Sequence, residues 1–317
     1  MKTPEPNIQV PVDLTNPGQF FACCGLLELA DRLWPAAEGW FERQSFCVNV
    51  ERCRRDDCPL PKRVGGSLAC GSREASRNHL SELLTEAKTL TFDVGDDDDS
   101  DDADDDKEDS GLVQPIELQW SDGRFAMHLD WWSDRSIKPW AGSMKERVIL
   151  RAMLDAIDPH QSKPFDDLRR VQYQSPKLTK AGKPKKPAKK EPFYFDPRRG
   201  NKSHPLDCGF SPDAHKMEAD CCPALEALCF IGLQRARPAP TDVANQSRYT
   251  VWTKVSDNAP GLPVGLVGPV TCGMIPCSSL GTYVFDNYFR TDQRKHKTFS
   301  LAQVESSQYV QCNARHV

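Results

Sequence analysis

A chain of 317 residues with 38% hydrophobic residues and seven tryptophans can bury a substantial core, and its length fits one large or two intimately joined domains. No apolar run approaches the length of a membrane span, and Met1 to Pro11 lacks the apolar centre of a signal peptide, which argues against a membrane protein and points to the cytoplasm. The net charge of -4 hides a segregation: residues 96–109, DDDDSDDADDDKED, carry eleven acids and one lysine, and without them the chain holds 40 basic against 34 acidic residues, a net +6.

In chain order, Val10 and Val12 alternate in a predicted strand from Ile8 to Asp13. The clearest helix follows, in NPGQFFACCGLLELADRLWP at 16–35. Asn16 can cap it, Pro17 presets φ for the first helical position, and Gln19 is placed to reach back to orphan main-chain donors. Phe20, Phe21, Cys23, Cys24, Leu26, Leu27, Leu29 and Leu33 make it mostly apolar, and Glu28 and Arg32 sit one turn apart on its polar stripe. Trp34 precedes Pro35 and stops it. A strand is expected near Phe46 to Val50, and a second helix at Leu80, Leu83, Leu84 and Ala87.

The acidic run (95–110) repels itself and lacks apolar residues, so it is expected to be a disordered, solvated insertion; a nucleic-acid mimic shielding a basic groove is the sharper alternative. It lacks the spaced glycine and terminal glutamate of a calcium loop. Beyond it, Ile116, Leu118 and Trp120 alternate, Asp122 and Gly123 turn, and Phe125, Met127, Leu129 and Trp131 alternate back, a hairpin signature. Ser143 and Glu146 suggest a capping box for a helix to Asp158. A further helix is expected from Cys222 to Arg237, strands at Tyr249–Val255 and Tyr283–Arg290, and proline- and glycine-rich loops at 259–281. Each half places an apolar helix with a Cys-Cys pair ahead of a strand. The alternation predicts an α+β fold of antiparallel sheets with helices packed on one side; the repeated helix-then-strand order suggests two related halves, 1–160 and 193–317, joined by a basic flexible linker 161–192.

The stretch at 16–35, together with DWWSDRSIKPWAG at 130–142, FYFDPRRG at 193–200, GFSPDA at 209–214 and ALCFIGLQRARP at 227–238, resembles the small large-subunit-like protein of type I-U (also called I-G) CRISPR systems. None of these blocks is a catalytic signature, and the resemblance brings no site residues with it. It implies a non-catalytic subunit of an RNA-guided surveillance complex, at the end that reads the short target-flanking motif or holds the displaced strand. Its expected partners are other CRISPR-associated subunits, CRISPR RNA, target DNA and a separate helicase-nuclease, with antiviral defence as the outcome.

The residues themselves favour no catalytic chemistry. GLPVGLVGP lacks the lysine and hydroxyl of a phosphate-cradling loop, no nucleophile elbow or metalloprotease pair occurs, and His79, His128, His160 and His204 stand apart from acids and nucleophiles. The thirteen cysteines read as reduced thiols, with Cys23, Cys24 and Cys229 in helix interiors. Cys53 with Cys58, Cys272 with Cys277, and His204, Cys208, His215 and Cys221 complete no tetrahedral set, so neither a metal nor a cofactor is expected. A zinc-dependent nuclease using the cluster at 204–222 remains an alternative reading, as does a scaffold that touches only proteins.

Nucleic-acid contact is expected from KLTKAGKPKKPAKKEP at 177–192, with seven lysines, of which Lys185, Lys186, Lys189 and Lys190 are the candidates, or else this is a solvated linker. The adjoining Phe193 to Phe195 with Arg198, Arg199 and Lys202 combine aromatic faces with cations, as single-strand binders do. Lys138 and Trp140, at the mouth of a helix, form a second candidate for stacking and phosphate contact, and Trp132 is uncommitted between core and interface.

Overall fold

The computed structural model describes residues 5–50, 73–93, 114–120, 123, 126–133, 136–140, 145–173, 189–190, 195–200, 220–254, 261–289 and 297–305. The chain opens with β1 (Ile8–Pro11), α1 (Pro17–Leu33), β2 (Glu38–Glu42) and β3 (Ser45–Asn49), followed by α2 (Arg73–Lys88). Then come β4 (Ile116–Gln119), β5 (Ala126–Leu129), a 3₁₀ turn at Trp131–Ser133, α3 (Glu146–Ala156), β6 (Gln172–Tyr173), β7 (Lys189–Lys190) and the single turn α4 (Pro197–Gly200). The remainder is α5 (Pro223–Gly232), β8 (Ala239–Pro240), β9 (Gln246–Trp252), β10 (Leu262–Pro263), α6 (Val264–Thr271), β11 (Ser279–Phe289), β12 (Lys297–Phe299) and β13 (Gln303–Val304).

All pairings between these strands are antiparallel, and the fold is α+β. One sheet has the order β1-β3-β2-β10 and the other β12-β11-β9-β8, with β13 also on β11; β4-β5 and β6-β7 are separate ribbons. The first sheet takes its fourth strand from the far end of the chain, Leu262 pairing with Gly39. A single apolar cluster runs from Ile8 to Ala302, so the halves drawn at 160 and 193 share one core.

α1 begins as its sequence dictates. Asn16 Oδ1 accepts the Gln19 N–H at 3.1 Å, and the Gln19 side chain reaches back to the Asp13 N–H at 2.7 Å. Every residue from Pro17 to Ala30 is buried, Glu28 included. α1 earns that burial by crossing α5 at two glycines. A Cβ on Gly25 would lie 2.0 Å from the Leu228 carbonyl oxygen, and one on Gly232 would lie 2.0 Å from that of Phe21, so the crossing is reciprocal and backbone meets backbone. At one end Phe20 stacks on Tyr249 at 4.4 Å and on Phe41 at 5.4 Å, joining both sheets to the helix, and the Trp252 indole donates to the Gly39 carbonyl across them.

Three expectations are corrected. α3 starts at Glu146 with Lys145 at its N-cap and no side-chain cap, because the Glu146 carboxylate is taken by Lys138 and Trp140; Ser143 lies outside the described residues. The stretch 259–281 is not all loop: α6 forms in it despite Pro269, and Gly268 lets it approach the Arg235 carbonyl. Part of the expected linker 161–192 belongs to the body, since Phe165 and Val171 are buried and β6 pairs with β7.

Residues 94–113, with the whole acidic run, lie outside the described residues, but the chain on either side of them is fixed. The Arg147 guanidinium bonds the carbonyls of Asp93 at 2.5 Å and Pro115 at 2.9 Å, and Thr91 bridges to Gln119. Deleting 96–109 is therefore expected to leave the midpoint of thermal unfolding nearly unchanged, because loop-closure entropy varies slowly with length. A drop of several degrees would mean that the acidic residues are bound to the body.

Candidate nucleic-acid interface

Four of the five sequence blocks that carry the family resemblance meet in space. Trp131 donates its indole N–H to the Phe230 carbonyl at 2.8 Å, and the main-chain N–H groups of Asp130 and Trp131 both donate to the Gln234 side chain. Phe195 sits 5.8 Å from Trp131 and 6.5 Å from Trp140, ring centre to ring centre. Asn16 donates to Asp196 at 2.9 Å. The blocks at 16–35, 130–142, 193–200 and 227–238 thus build one interior; 209–214 lies outside the described residues.

That interior absorbs several candidate contact residues. Trp140 is 6% exposed and stacks on Phe230 at 5.5 Å with planes 14° apart, so its face already has a partner. Its indole N–H and the Lys138 ammonium share Glu146 Oε1, at 3.2 and 3.0 Å, while Lys138 lies over the Trp140 ring. Trp132, uncommitted in the sequence, is buried against Phe230. Arg198 donates to both oxygens of Asp196 at 3.0 Å, to Asp166 at 2.8 Å and to the Phe165 carbonyl at 2.6 Å. Its fork is filled by the fold, and its first role is structural.

The remaining candidates are the lysines and their neighbours. Lys185, Lys186 and Lys202 lie outside the described residues, as do the side chains of Lys189, Lys190 and Arg199. The main chain of Lys189 and Lys190 is placed, pairing with Tyr173 and Gln172. This pairing sets residues 173 and 189 side by side, and five of the tract's seven lysines fall in the interval 174–188, outside the described residues.

A cluster missed in the sequence lies at the N-terminal ends of α1 and α5. Asp196 and Glu226 are both fully buried. Glu226 accepts the main-chain N–H groups of Phe195 and Asp196 at 3.0 and 3.2 Å, and Asp196 accepts from Asn16 and Arg198. Burial and then the Asp196 charge push the Glu226 carboxyl up to about 8. The available signal was the one acid in the otherwise apolar PALEALCFIG.

The thiols of Cys23, Cys24, Cys47 and Cys229 are pushed up by burial and pack as small hydrophobes. Among the described residues no three His, Cys, Asp or Glu side chains gather as a metal site; His204, Cys208 and His215 lie outside them. His128 is exposed on its hairpin. His160 comes within 3.3 Å of Ser81 Oγ, but on open surface, and the two oxygens of Asp158 go to the His160 main-chain N–H and to Arg169. Among the described residues no helix is long and apolar enough to cross a membrane. Comparison with protein-family models, curated proteins and solved structures finds no match to this chain.

Proposed function

We propose that the chain is a non-catalytic subunit of a type I-U (I-G) CRISPR surveillance complex that contacts guide RNA or target DNA backbone through the lysine loop closed by β6 and β7. The observation that carries this reading is the pairing of Tyr173 with Lys189 and Gln172 with Lys190. Two of the seven lysines in a run with a single acid are thereby tied by their main chain to the folded body, which would keep the other five at high local concentration beside a bound phosphate backbone. In this reading base pairing supplies the sequence information and the subunit supplies cations and position.

Replacing Lys185, Lys186, Lys189 and Lys190 together by glutamine is expected to weaken binding of the assembled complex about equally for unrelated sequences. It should also reduce the slope of log affinity against log salt by about 0.7–0.9 for each phosphate contact removed. Affinity across a salt series, measured on complexes that co-purify with their neighbouring subunits and RNA, decides this. Normal assembly with an unchanged affinity and slope would make the loop a spacer and the chain a protein-contacting scaffold.

A further inference from the structure

Residues 258–285 contain no charged residue, in a chain that is 27% charged. Of the eight large hydrophobic side chains that the described residues leave exposed, four fall in this interval: Leu266, Met274, Ile275 and Leu280. Met274 is 78% exposed. Single exposed apolar residues are ordinary on a protein surface, whereas four within 266–280 form a patch.

The fold gathers them at one end of the second sheet. α6 gives Val267, Val270 and Thr271 to the interior and leaves Leu266 outside. The main-chain N–H groups of Met274 and Ile275 both donate to the Pro269 carbonyl, at 2.8 and 3.2 Å, so the chain turns back at the end of the helix. A Cβ on Gly273 would lie 3.9 Å from Thr250 Oγ1, and Thr250 bonds Thr282 at 3.3 Å. The turn therefore sits over the β9-β11 pair, beside Leu280, which stands in the bulge between Ser279 and Gly281.

The charges that border this face are already paired within the chain. Lys254 follows Thr253, whose N–H donates to the Ser278 carbonyl, and it bonds Glu42 at 3.0 Å. Arg235, whose carbonyl α6 approaches at Gly268, is bound to Glu28. Arg248, opposite Val284, bonds Glu305 at 3.3 Å. An apolar centre inside a rim of neutralised ion pairs is the anatomy of a protein interface, and it offers a phosphate backbone or an anionic bilayer no free cation.

We infer that this face, formed by Leu266, Met274, Ile275 and Leu280, is the contact between two copies of the chain. Two-fold symmetry lays a surface against itself, so a charge near the axis meets its own like. A face without charge escapes that repulsion, and it carries nothing by which to select a partner of opposite sign. Met274, the most exposed of the four, has the flexible thioether side chain that adapts to such a contact. The inference goes beyond nucleic-acid binding and does not depend on it.

Sedimentation equilibrium of the full chain, loaded from about 1 to about 100 µM, tests this. At the upper end a mass of twice 35.6 kDa is expected. Met274→Asp and Leu280→Asp should each raise the dissociation constant at least about thirtyfold while keeping the wild-type midpoint of thermal unfolding, because both side chains are exposed in the single chain. Val243→Asp is the control: it too is exposed, but in the turn between β8 and β9, at the other end of β9, and should leave the constant unchanged. Raising salt from about 50 to about 500 mM should not weaken the dimer, since no ion pair crosses it. A wild-type chain that stays monomeric, a dimer that survives both aspartate variants, or one that salt dissolves overturns the inference. A monomer whose 266–280 peptides gain exchange protection only in an assembled complex, or only on anionic vesicles, overturns it as well and assigns the face to a neighbouring subunit or to a membrane.

Discussion

Gly232→Ala is expected to destabilise the protein by at least about 3 kcal/mol, the upper part of the range for forcing atoms into a packed interior. The new methyl carbon would sit 2.0 Å from the Phe21 carbonyl oxygen and 2.6 Å from the Gly25 nitrogen, and both obstacles are main chain in the buried stretch of α1. Neither can swing aside as a side-chain tip would, so α1 and α5 must separate, and with them the two sheets that Phe20 joins. Gly265→Ala is the control. That position lies in the first turn of α6, a Cβ there meets nothing within 4 Å, and its φ is outside the left-handed region, so alanine should gain roughly 0.4–1 kcal/mol by restricting the unfolded chain. Chemical denaturation of both variants measures the contrast. Equal stability of Gly232→Ala and the wild type would disprove the backbone-to-backbone crossing.

Arg198→Ala is expected to act on stability before it acts on any ligand. Removing one partner of a wholly buried ion pair costs about 3–5 kcal/mol; Arg198 is one-third exposed, water offsets part of that, and about 2–3 kcal/mol is expected. Asp196, fully buried, would be left with Asn16 as its side-chain donor. Arg198→Lys keeps the charge but not the fork that spans Asp196, Asp166 and Phe165, and should recover only part of the loss. In an Asp196→Asn background the alanine change should cost less, because the charge it strands is gone. A wild-type denaturation midpoint for Arg198→Ala, combined with a weaker salt dependence of RNA binding, would return Arg198 to the contact surface.

These two outcomes mark where the sequence was and was not legible. Local rules placed α1 almost to the residue, because cap, N-terminal proline and the Trp34-Pro35 stop all act within one turn of the helix end. They also placed the β4-β5 hairpin, the existence of β9 and β11, and the burial of Tyr249 and Val251 on alternating positions of β9, which itself ends at Trp252, while β11 begins four residues before the expected Tyr283. β2 was missed, since its EGWFE is buried at four of five positions and shows no alternation. α6 was missed because proline and glycine normally signal loops, and here Gly268 instead lets the helix approach the Arg235 carbonyl. Among the candidate contact residues, Lys138, Trp140 and Arg198 have the right chemistry for nucleic acid, but pairing with Glu146, Phe230 and Asp196 is a matter of residues distant in the chain. A buried acid inside an apolar helix, as in PALEALCFIG, was visible; its partner, thirty residues earlier, was not.

The strand β10 also bears on how the chain reaches this structure. It completes the first sheet by pairing with β2 across more than two hundred residues, and the α1-α5 crossing spans a similar interval. Such long-range closures are paid for in chain entropy before they return any contact energy, which slows folding. During synthesis, α1 emerges long before its glycine-matched partner and β2 long before its neighbour, leaving an apolar helix and an open strand edge waiting together. A fragment ending near residue 160 would keep that unfinished state, and self-association on a sizing column is its expected outcome. Production of the intact chain should accordingly be more sensitive to temperature and translation rate than its final stability suggests.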